Sequence, residues 1–135
     1  MNSADRASDM TTSQLGELAL RCRRHIVKMI HAAGAGHPGG SLSAIDIIAA
    51  LYGNQLRFDV NNPDWADRDR FIMSKGHASP AVYSILFEMG FITEDDMMSF
   101  RKLGSVCQGH VDMKWTNGVD LSAGSLGMGL SFGLG

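Results

Sequence analysis

Apolar residues in segment 11–34 recur at steps of three and four, and the pattern stops at the glycine-rich turn GAGHPGG, residues 34–40. The recurring positions are Leu15, Leu18, Cys22, Ile26, Met29 and Ile30. This period predicts an amphipathic helix with one buried face. Gly34 and Gly36 suit the left-handed backbone that ends a helix, and Pro38 biases His37 toward extended geometry. The sequence therefore predicts a helix followed by a rigid turn that presents one imidazole.

The same turn contains a literal match to G-x-G-x-x-G, the fingerprint of dinucleotide-binding folds, and Asp59 lies near the distance expected of a ribose-binding acid. The fingerprint is meaningful only where it follows a strand and opens a helix, because the pyrophosphate sits on that helix N-terminus. Here the preceding element is a helix. The flanking sequence therefore disfavours a dinucleotide-binding fold.

Composition is that of an ordinary globular domain, since 44% of the 135 residues are hydrophobic and 19% are charged. The formal net charge of -2 gives no overall attraction to nucleic acid or to an anionic membrane. No apolar run is long enough to span a bilayer. Cys22 and Cys107 form no C-x-x-C motif, so we predict no disulfide framework and expect a cytoplasmic protein.

Three further helices are predicted from capping patterns after the first turn. The patterns are Ser43 with Asp46, Ser79 with Pro80, and Thr93 with Asp96 at the start of segment 93–104. A last, glycine-rich helix is expected within residues 125–135, where Gly129 and Gly133 leave one face open to close packing. Its end is apolar and lacks a polar tail, so we expect that further sequence or a partner chain completes it.

Short extended segments separate these helices. The strand candidates are segments 56–60, 71–74 and 119–124. Because the strands are short and separated by helices, we predict an α/β fold in which helices flank a parallel sheet. Residues 1–14 are expected to form a polar tail, and residues 15–135 the folded domain.

Three of the five histidines follow a glycine in a turn, namely His37, His77 and His110. Glycine lets the backbone bend sharply and leaves the neighbouring imidazole accessible. Taken singly, each is more often a hydrogen-bonded loop residue than a functional group. No pair has the spacing of a zinc site, and the sequence has no G-x-S-x-G elbow. Zinc and serine hydrolase chemistry are therefore disfavoured.

The segment FIMSKGHASP, residues 71–80, is a candidate anion site. A strand that runs through a turn into a capped helix points backbone N–H groups at whatever lies above the turn. Lys75, His77 and Ser79 could add side-chain donors, although an ordinary loop with a surface lysine fits equally well. The small residues of the turn 120–129 could likewise expose backbone groups to a ligand, or could serve only close helix packing.

Four segments together resemble the N-terminal part of transketolases. They are GAGHPGGSLSAIDIIAALY, DRDRFIMSKGHASPAVYSILFEMG, GHVDM and LSAGSLGMGLSFGLG, in the order and at the separations found in that family. The resemblance covers nearly everything from about Leu15 to Gly135. It is closest in style to the split transketolases, whose N-terminal half is a separate subunit. It implies an incomplete N-terminal part of a thiamine-diphosphate-binding fold.

The resemblance also implies an enzyme dependent on thiamine diphosphate and magnesium, which moves a two-carbon ketol unit from a ketose phosphate to an aldose phosphate. Such a transferase would work in the pentose phosphate pathway of carbohydrate metabolism and would form a homo-oligomer such as a dimer. Its partner would be a C-terminal transketolase subunit or the remainder of the chain. Neither nucleic acid nor a membrane is an expected partner.

Roles carry over to the residues that match the family motifs. His77 would contact the cofactor diphosphate, and Gly124, Ser125 and Leu126 would offer backbone contacts on the aminopyrimidine side. His37 and His110 would line the channel and bind substrate hydroxyls, with His37 also assisting proton transfer as a catalytic residue.

The chain departs from the family where the metal should bind, since the Gly-Asp-Gly run that binds magnesium is absent. The pyrimidine-binding domain with its activating glutamate, and the arginines that clamp substrate phosphate, are absent too. We therefore expect these residues alone to be inactive. The alternatives are a truncated, non-catalytic interaction module and another thiamine-diphosphate-dependent enzyme, such as a synthase for deoxyxylulose phosphate. The sequence does not specify which sugar phosphates are used.

Overall fold

Five α-helices are formed among residues 9–135, the part of the chain that the structure, a computed structural model, describes. They are α1 (Thr12–Ala33), α2 (Pro38–Ala50), α3 (Ser79–Met89), α4 (Glu94–Met98) and α5 (Gly129–Leu134). A π-helical turn, Leu51–Gln55, extends α2, and a 3-10 turn, Gly76–Ala78, precedes α3. The predicted polar tail falls largely on residues 1–8, outside the described residues. No helix of the described part is both long and apolar enough to cross a bilayer.

Helix α1 begins and ends as local sequence chemistry dictates. Thr11 caps its start, because the Thr11 hydroxyl accepts the Gln14 N–H and the Gln14 side chain accepts the Thr11 N–H at 2.8 Å. Gly34 ends it with a φ of 63°, the left-handed geometry predicted for this glycine. The buried face consists of Leu18, Ala19, Cys22, Ile26 and Met29. The predicted amphipathic helix is therefore confirmed, and it starts three residues before Leu15.

Helices α1, α2 and α3 pack against one another and form the core. Every residue of α3 from Ser79 to Leu86 is buried, so α3 is the central element. Its Tyr83 hydroxyl donates to the Gln108 carbonyl at 2.8 Å and thereby fixes the loop that carries His110. Helix α3 therefore supports two of the histidine-bearing turns, one at its own N-terminus and one through Tyr83.

Both cysteines lie in this core. Cys22 on α1 and Cys107 before the His110 turn are buried, and neither forms a disulfide. Burial raises the pKa of each thiol to about 12, because the thiolate would lose its hydration in the apolar interior.

The parallel sheet that the sequence predicts is not formed among residues 9–135. The three strand candidates, segments 56–60, 71–74 and 119–124, contain no strand. The Phe71 N–H donates instead to the Asp120 carboxylate at 2.9 Å, and the Ser74 carbonyl accepts the Gly127 N–H at 3.0 Å. A strand needs a neighbouring strand to satisfy its backbone N–H and C=O groups. In these segments, side chains and turns bind the backbone groups instead. The described fold is therefore a helical core that carries long irregular segments.

Two helix boundaries differ from the prediction. Helix α2 begins at Pro38 rather than near Ser43, because proline at the first position already has the helical φ. The Ser43 hydroxyl lies inside the helix and donates back to the Gly40 carbonyl at 3.2 Å. Helix α4 has the predicted Thr93 cap but ends at Met98 instead of continuing to residue 104.

Helix α5 packs closely through the glycine predicted for that purpose. A Cβ at Gly129 would lie 2.8 Å from Cβ of Ser74 and 2.9 Å from Cγ2 of Ile72. The Gly129 N–H also donates to the Ser74 hydroxyl at 3.0 Å. The missing side chain therefore lets the start of α5 rest directly on segment 71–74.

Candidate functional site

The two glycine-rich turns that precede α2 and α3 bring His37 and His77 together. Their ring centroids lie 5.4 Å apart, with the ring planes inclined at 68°. The His77 ring also rests on α2, since a Cβ at Gly40 would lie 3.3 Å from its Nε2 atom. Glycine at position 40 therefore makes room for the imidazole that the next turn supplies. No local sequence pattern marks this role for Gly40.

A third turn joins the site at Gly76. A Cβ there would overlap the Ala123 carbonyl oxygen and would lie 2.7 Å from the carbonyl carbon. It would also lie 3.2 Å from Cδ2 of His110. Only the absence of a side chain at Gly76 lets the loop 119–124 and the His110 turn approach the base of His77. The structure thus gathers the three glycine-preceded histidines around one pair of glycines.

Lys75 and Ser79, the other donors expected at the anion site, are used inside the protein. The Lys75 ammonium donates to the Gly40 carbonyl at 2.7 Å and lies 3.2 Å from the Ser43 hydroxyl. The buried Ser79 hydroxyl donates to the Gly109 carbonyl at 2.8 Å and does not cap α3. Both side chains are thus drawn toward backbone carbonyls of neighbouring turns, and each ties two turns together.

The His77 side chain makes no hydrogen bond to any of residues 9–135, and it is only partly exposed. Within the described chain its ring contacts the edge-on His37 ring. An imidazole in such a position keeps its donor for a ligand, because water and ligand are the partners left to it. Of the three side chains expected at the anion site, His77 is the one available to a bound anion.

The loop Gly124 to Leu126 is fixed at both ends and open between them. The Ala123 N–H donates to the Val111 carbonyl at 3.1 Å, and the Gly127 N–H donates to Ser74. The three N–H groups between them donate to no acceptor among residues 9–135, and all three residues are exposed. Backbone donors held in this way are preorganised for a ligand.

His110 opens onto a broad groove of about 850 Å³, counting the part open to solvent. Its walls include Gly109, Asp112, Trp115, Ser122 and Gly124. The Lys114 N–H and the Ser122 hydroxyl, each 2.9 Å from Oδ1 of Asp112, hold the pKa of that carboxyl below its usual range. The groove therefore carries one fixed negative charge beside the imidazole.

No three His, Cys, Asp or Glu side chains within residues 9–135 come close enough to hold a metal ion. The residues do fit the diphosphate group of such a cofactor. An unpaired imidazole, an open run of backbone N–H groups and two glycines that clear space meet at one place. These donors, together with the space that the two glycines leave, suit an anion whose charge a metal bound elsewhere partly neutralises.

This arrangement belongs to a class of cofactor-binding domains. Residues 17–135 match the family described as "Transketolase, thiamine diphosphate binding domain". The chain belongs to the transketolase family, in which it corresponds to the N-terminal thiamine-diphosphate-binding domain.

Relatives and solved structures agree with this assignment. The transketolase of Treponema pallidum is 39% identical over 127 residues, and the match covers 93% of this chain but 19% of that enzyme. The 6-deoxy-6-sulfo-D-fructose transketolase subunit SqwG of Clostridium sp. is 39% identical, with 84% of this chain and 41% of the subunit covered. Transketolase of Campylobacter jejuni superposes with a TM-score of 0.84 at 37% identity, covering 90% of this chain and 19% of that one. The chain therefore spans a minor part of each relative.

Proposed function

We propose that this chain is the diphosphate-binding part of a transketolase, which transfers a two-carbon ketol unit from a ketose phosphate to an aldose phosphate. The observation that carries the proposal is the convergence of His37, His77 and His110 with the open loop 124–126. Thiamine diphosphate, when bound, would supply the stabilisation of the carbanion that this reaction needs. The chain's own residues bind, orient and exchange protons.

His77 is proposed to bind the cofactor diphosphate. Its imidazole has no protein hydrogen bond among residues 9–135 and is held against Gly40, so its orientation is set by packing alone. A hydrogen bond to a charged oxygen is stronger than one between neutral groups. The backbone N–H groups of Gly124, Ser125 and Leu126 are proposed to contact the aminopyrimidine side.

His37 and His110 are proposed to bind substrate hydroxyls. Both side chains are exposed; His37 lies against the His77 ring, and His110 lies against Gly76, the residue before His77. His37 also assists proton transfer, because an imidazole can both donate and accept a proton.

The rest of the site is proposed to come from another segment or subunit. Matches that cover 19% and 41% of the relatives leave room for the magnesium ligands, the pyrimidine-binding domain and the substrate-phosphate arginines. We propose that this part alone is inactive, and that the completed enzyme is a homo-oligomer acting on sugar phosphates of the pentose phosphate pathway in the cytoplasm.

Calorimetric titration of thiamine diphosphate in the presence of magnesium tests the binding role. We expect saturable binding that His77→Ala weakens by about 10-fold or more, since it removes a hydrogen bond to a charged group. His31→Ala is the matched control, because His31 is exposed in the last turn of α1. Absence of saturable binding would favour the interaction module over the cofactor-binding half-site.

The division of roles is tested in the completed enzyme. His37→Ala should lower turnover far more than cofactor affinity, whereas His77→Ala should lower cofactor affinity more than turnover at saturation. Steady-state rates with saturating and limiting cofactor separate the two quantities. Equal effects of both substitutions on both quantities would contradict the assignment.

A further inference from the structure

The irregular segment 106–111, which carries His110, has each of its backbone carbonyls bound to a donor of the protein. The carbonyls of residues 106 and 108–110 accept from hydroxyl groups of buried side chains, namely Thr116, Tyr83 and Ser79. Those of Cys107 and Val111 accept the backbone N–H groups of Arg101 and Ala123. Irregular loops usually lie at the surface, where water binds their backbone groups. The position of this segment is instead fixed from within the protein.

Two of these hydroxyl groups come from the central helix α3. Ser79 and Tyr83 are separated by one helical turn, so they share one face of the helix. The Ser79 hydroxyl donates to the Gly109 carbonyl at 2.8 Å. The Tyr83 hydroxyl donates to the Gln108 carbonyl at 2.8 Å and also contacts the His110 carbonyl at 3.2 Å. Two side chains of one helix therefore hold three consecutive carbonyls of the His110 turn.

Neither hydroxyl group is needed to fill space in the core. Both side chains are fully buried, and a buried hydroxyl costs free energy unless it is hydrogen-bonded. The Tyr83 ring packs against the Phe100 ring, with centroids 6.0 Å apart, and this contact does not require the hydroxyl. Burial raises the pKa of Tyr83 above its ordinary value, which keeps its hydroxyl protonated as a donor. What the two hydroxyl groups contribute is therefore their bonds to the His110 turn.

The same helix also places His77. Ser79, the first residue of α3, follows His77 by two positions. Gly76, which directly precedes His77, lies against the other imidazole, since a Cβ there would lie 3.2 Å from Cδ2 of His110. Helix α3 is buried from Ser79 to Leu86 and packs against α1 and α2, so it cannot shift without disturbing the core. One rigid element thus sets the places of both imidazoles.

We propose that Ser79 and Tyr83 are positioning residues, which hold the His110 imidazole in a fixed place relative to His77. Two groups that bind different parts of the reactants act together only when their separation is fixed, and a displacement of about 1 Å can lower a rate by about 100-fold. The inference rests on the proposed function for what the two imidazoles bind. The placement of His110 by the two hydroxyl groups rests on the contacts alone.

Histidine-ring NMR spectra of the full chain test the placement without a ligand. We expect Tyr83→Phe to move the His110 ring signals by more than their linewidth, because it releases two carbonyls of the turn and keeps the aromatic ring. The His31 signals, from the last turn of α1, should stay in place and show that the variant is folded. Ser79→Ala releases the Gly109 carbonyl and should also move the His110 signals, so it provides the test if Tyr83→Phe fails to fold.

Ser84→Ala is the matched control from the same helix. Ser84 is as deeply buried as Ser79, but its hydroxyl donates to the Ala81 carbonyl at 2.8 Å, inside α3. Its removal should leave the His110 ring signals in place. The proposal is overturned if those signals stay in place in both Tyr83→Phe and Ser79→Ala, or if Ser84→Ala moves them as far.

Kinetics of the completed enzyme test whether Tyr83 acts through His110. With xylulose 5-phosphate and ribose 5-phosphate as substrates, we expect Tyr83→Phe to lower kcat/KM by about 10-fold and the affinity for thiamine diphosphate by less than about 2-fold. In the His110→Ala background the same substitution should change kcat/KM by less than about 2-fold, since no imidazole remains to be placed. Equal losses of kcat/KM in both backgrounds would give Tyr83 a purely structural role and overturn the proposal.

The two experiments together separate this inference from the proposed function. If His110→Ala leaves kcat/KM unchanged while Tyr83→Phe moves the His110 ring signals, the proposed role of His110 in substrate binding fails and its placement by Tyr83 is supported. If His110→Ala lowers kcat/KM while the ring signals stay in place in Tyr83→Phe and Ser79→Ala, the proposed function stands and this inference is overturned.

Discussion

At the residue scale, an absent side chain decides whether the site can form. Gly76 does not have the positive φ that favours glycine, yet a Cβ there would collide with the Ala123 backbone. Backbone cannot move aside as a flexible side chain can, so the loop itself would have to shift. The contact joins Gly76 to Ala123, 47 residues further along the chain, and it keeps the His110 turn close to the residue before His77.

Replacement of Gly76 by alanine should destabilise the fold by about 1–3 kcal/mol, because the new Cβ overpacks against a carbonyl group. Gly16→Ala is the matched control, since Gly16 lies in the second turn of α1 and a Cβ there meets nothing within 4 Å. That control should stabilise the chain by about 0.5–1 kcal/mol. Urea denaturation measures both, and equal stability of the two variants would contradict this account.

Local sequence chemistry predicts single residues well where the cause is local. The positive φ of Gly34 and the Thr93 cap both follow from short patterns, and both are confirmed. The same reasoning gave Lys75 and Ser79 as possible donors to an anion and left an ordinary loop equally open, and in the structure both bind carbonyl groups of neighbouring turns. Which partner a flexible donor selects depends on turns remote in sequence, and no local pattern encodes that choice.

At the element scale, side-chain anchors replace the predicted sheet. The Asp120 carboxylate accepts the Phe71 N–H and pairs with Arg68 at 2.6 Å. The Arg68 and Asp120 side chains are 17% and 8% exposed, so the pair is largely desolvated. Asp120 therefore ties segment 71–74 to the loop 119–124. The predicted strands are irregular segments held by the Asp69 and Asp120 carboxylates and by turns.

Loss of this anchor should be costly. Asp120→Ala leaves the largely desolvated Arg68 guanidinium without its acidic partner and the Phe71 N–H without its acceptor, and we expect a loss of about 3–5 kcal/mol in unfolding free energy. Asp46→Ala removes the acidic partner of Arg23 at a surface where both side chains are well exposed, and should cost at most about 1 kcal/mol. Chemical denaturation of the two variants provides the measurement. Similar losses in both variants would mean that burial of the Arg68–Asp120 pair does not increase its contribution to the unfolding free energy.

The first residue of α2 and the last residue of α4 are each decided between competing sequence signals. Pro38 and Ser43 are both legitimate start signals, and the helix begins at the earlier one because proline needs no backbone donor there. Helix α4 ends early because the Ser99 hydroxyl donates to the Asp96 carbonyl at 2.6 Å and bonds to Ser105. Such side-chain bonds compete with helix continuation. The existence of these helices was predictable, whereas their bounds depended on tertiary neighbours.

At the scale of the whole molecule, the family could be identified from sequence because four separated motifs occur together. Each motif alone has an ordinary structural explanation, as the rejected dinucleotide fingerprint illustrates. The approach of the His37, His77 and His110 turns is consistent with that resemblance. The roles of Gly40 and Gly76 could not be predicted, because each depends on a contact between segments that are distant in sequence.

Stability of the whole chain should fall at acid pH. Backbone donation from Lys114 to Asp112 and from Arg57 to Asp69 lowers the pKa of each carboxyl in the folded state. A carboxyl with a lowered folded pKa contributes stability above its unfolded pKa, about 3.9, and loses it as the pH falls through the folded value. The denaturation midpoint should therefore decline below about pH 4.

The double variant Asp69→Asn with Asp112→Asn should decline less steeply over the same range, because its side chains no longer titrate. Asp64→Asn is the control, since Asp64 is exposed and its side chain makes no hydrogen bond or ion pair among residues 9–135. Denaturation midpoints measured between about pH 2 and pH 7 compare the three chains. An unchanged slope in the double variant would contradict the assignment.

The burial of both native thiols has a practical consequence for spectroscopy. With pKa values of about 12, Cys22 and Cys107 remain protonated and shielded in the folded chain at neutral pH. An introduced Leu103→Cys side chain would stand in solvent, since Leu103 is fully exposed, and would react first with a maleimide dye. The chain therefore accepts a single fluorescent label two residues from Arg101 without prior removal of its own cysteines.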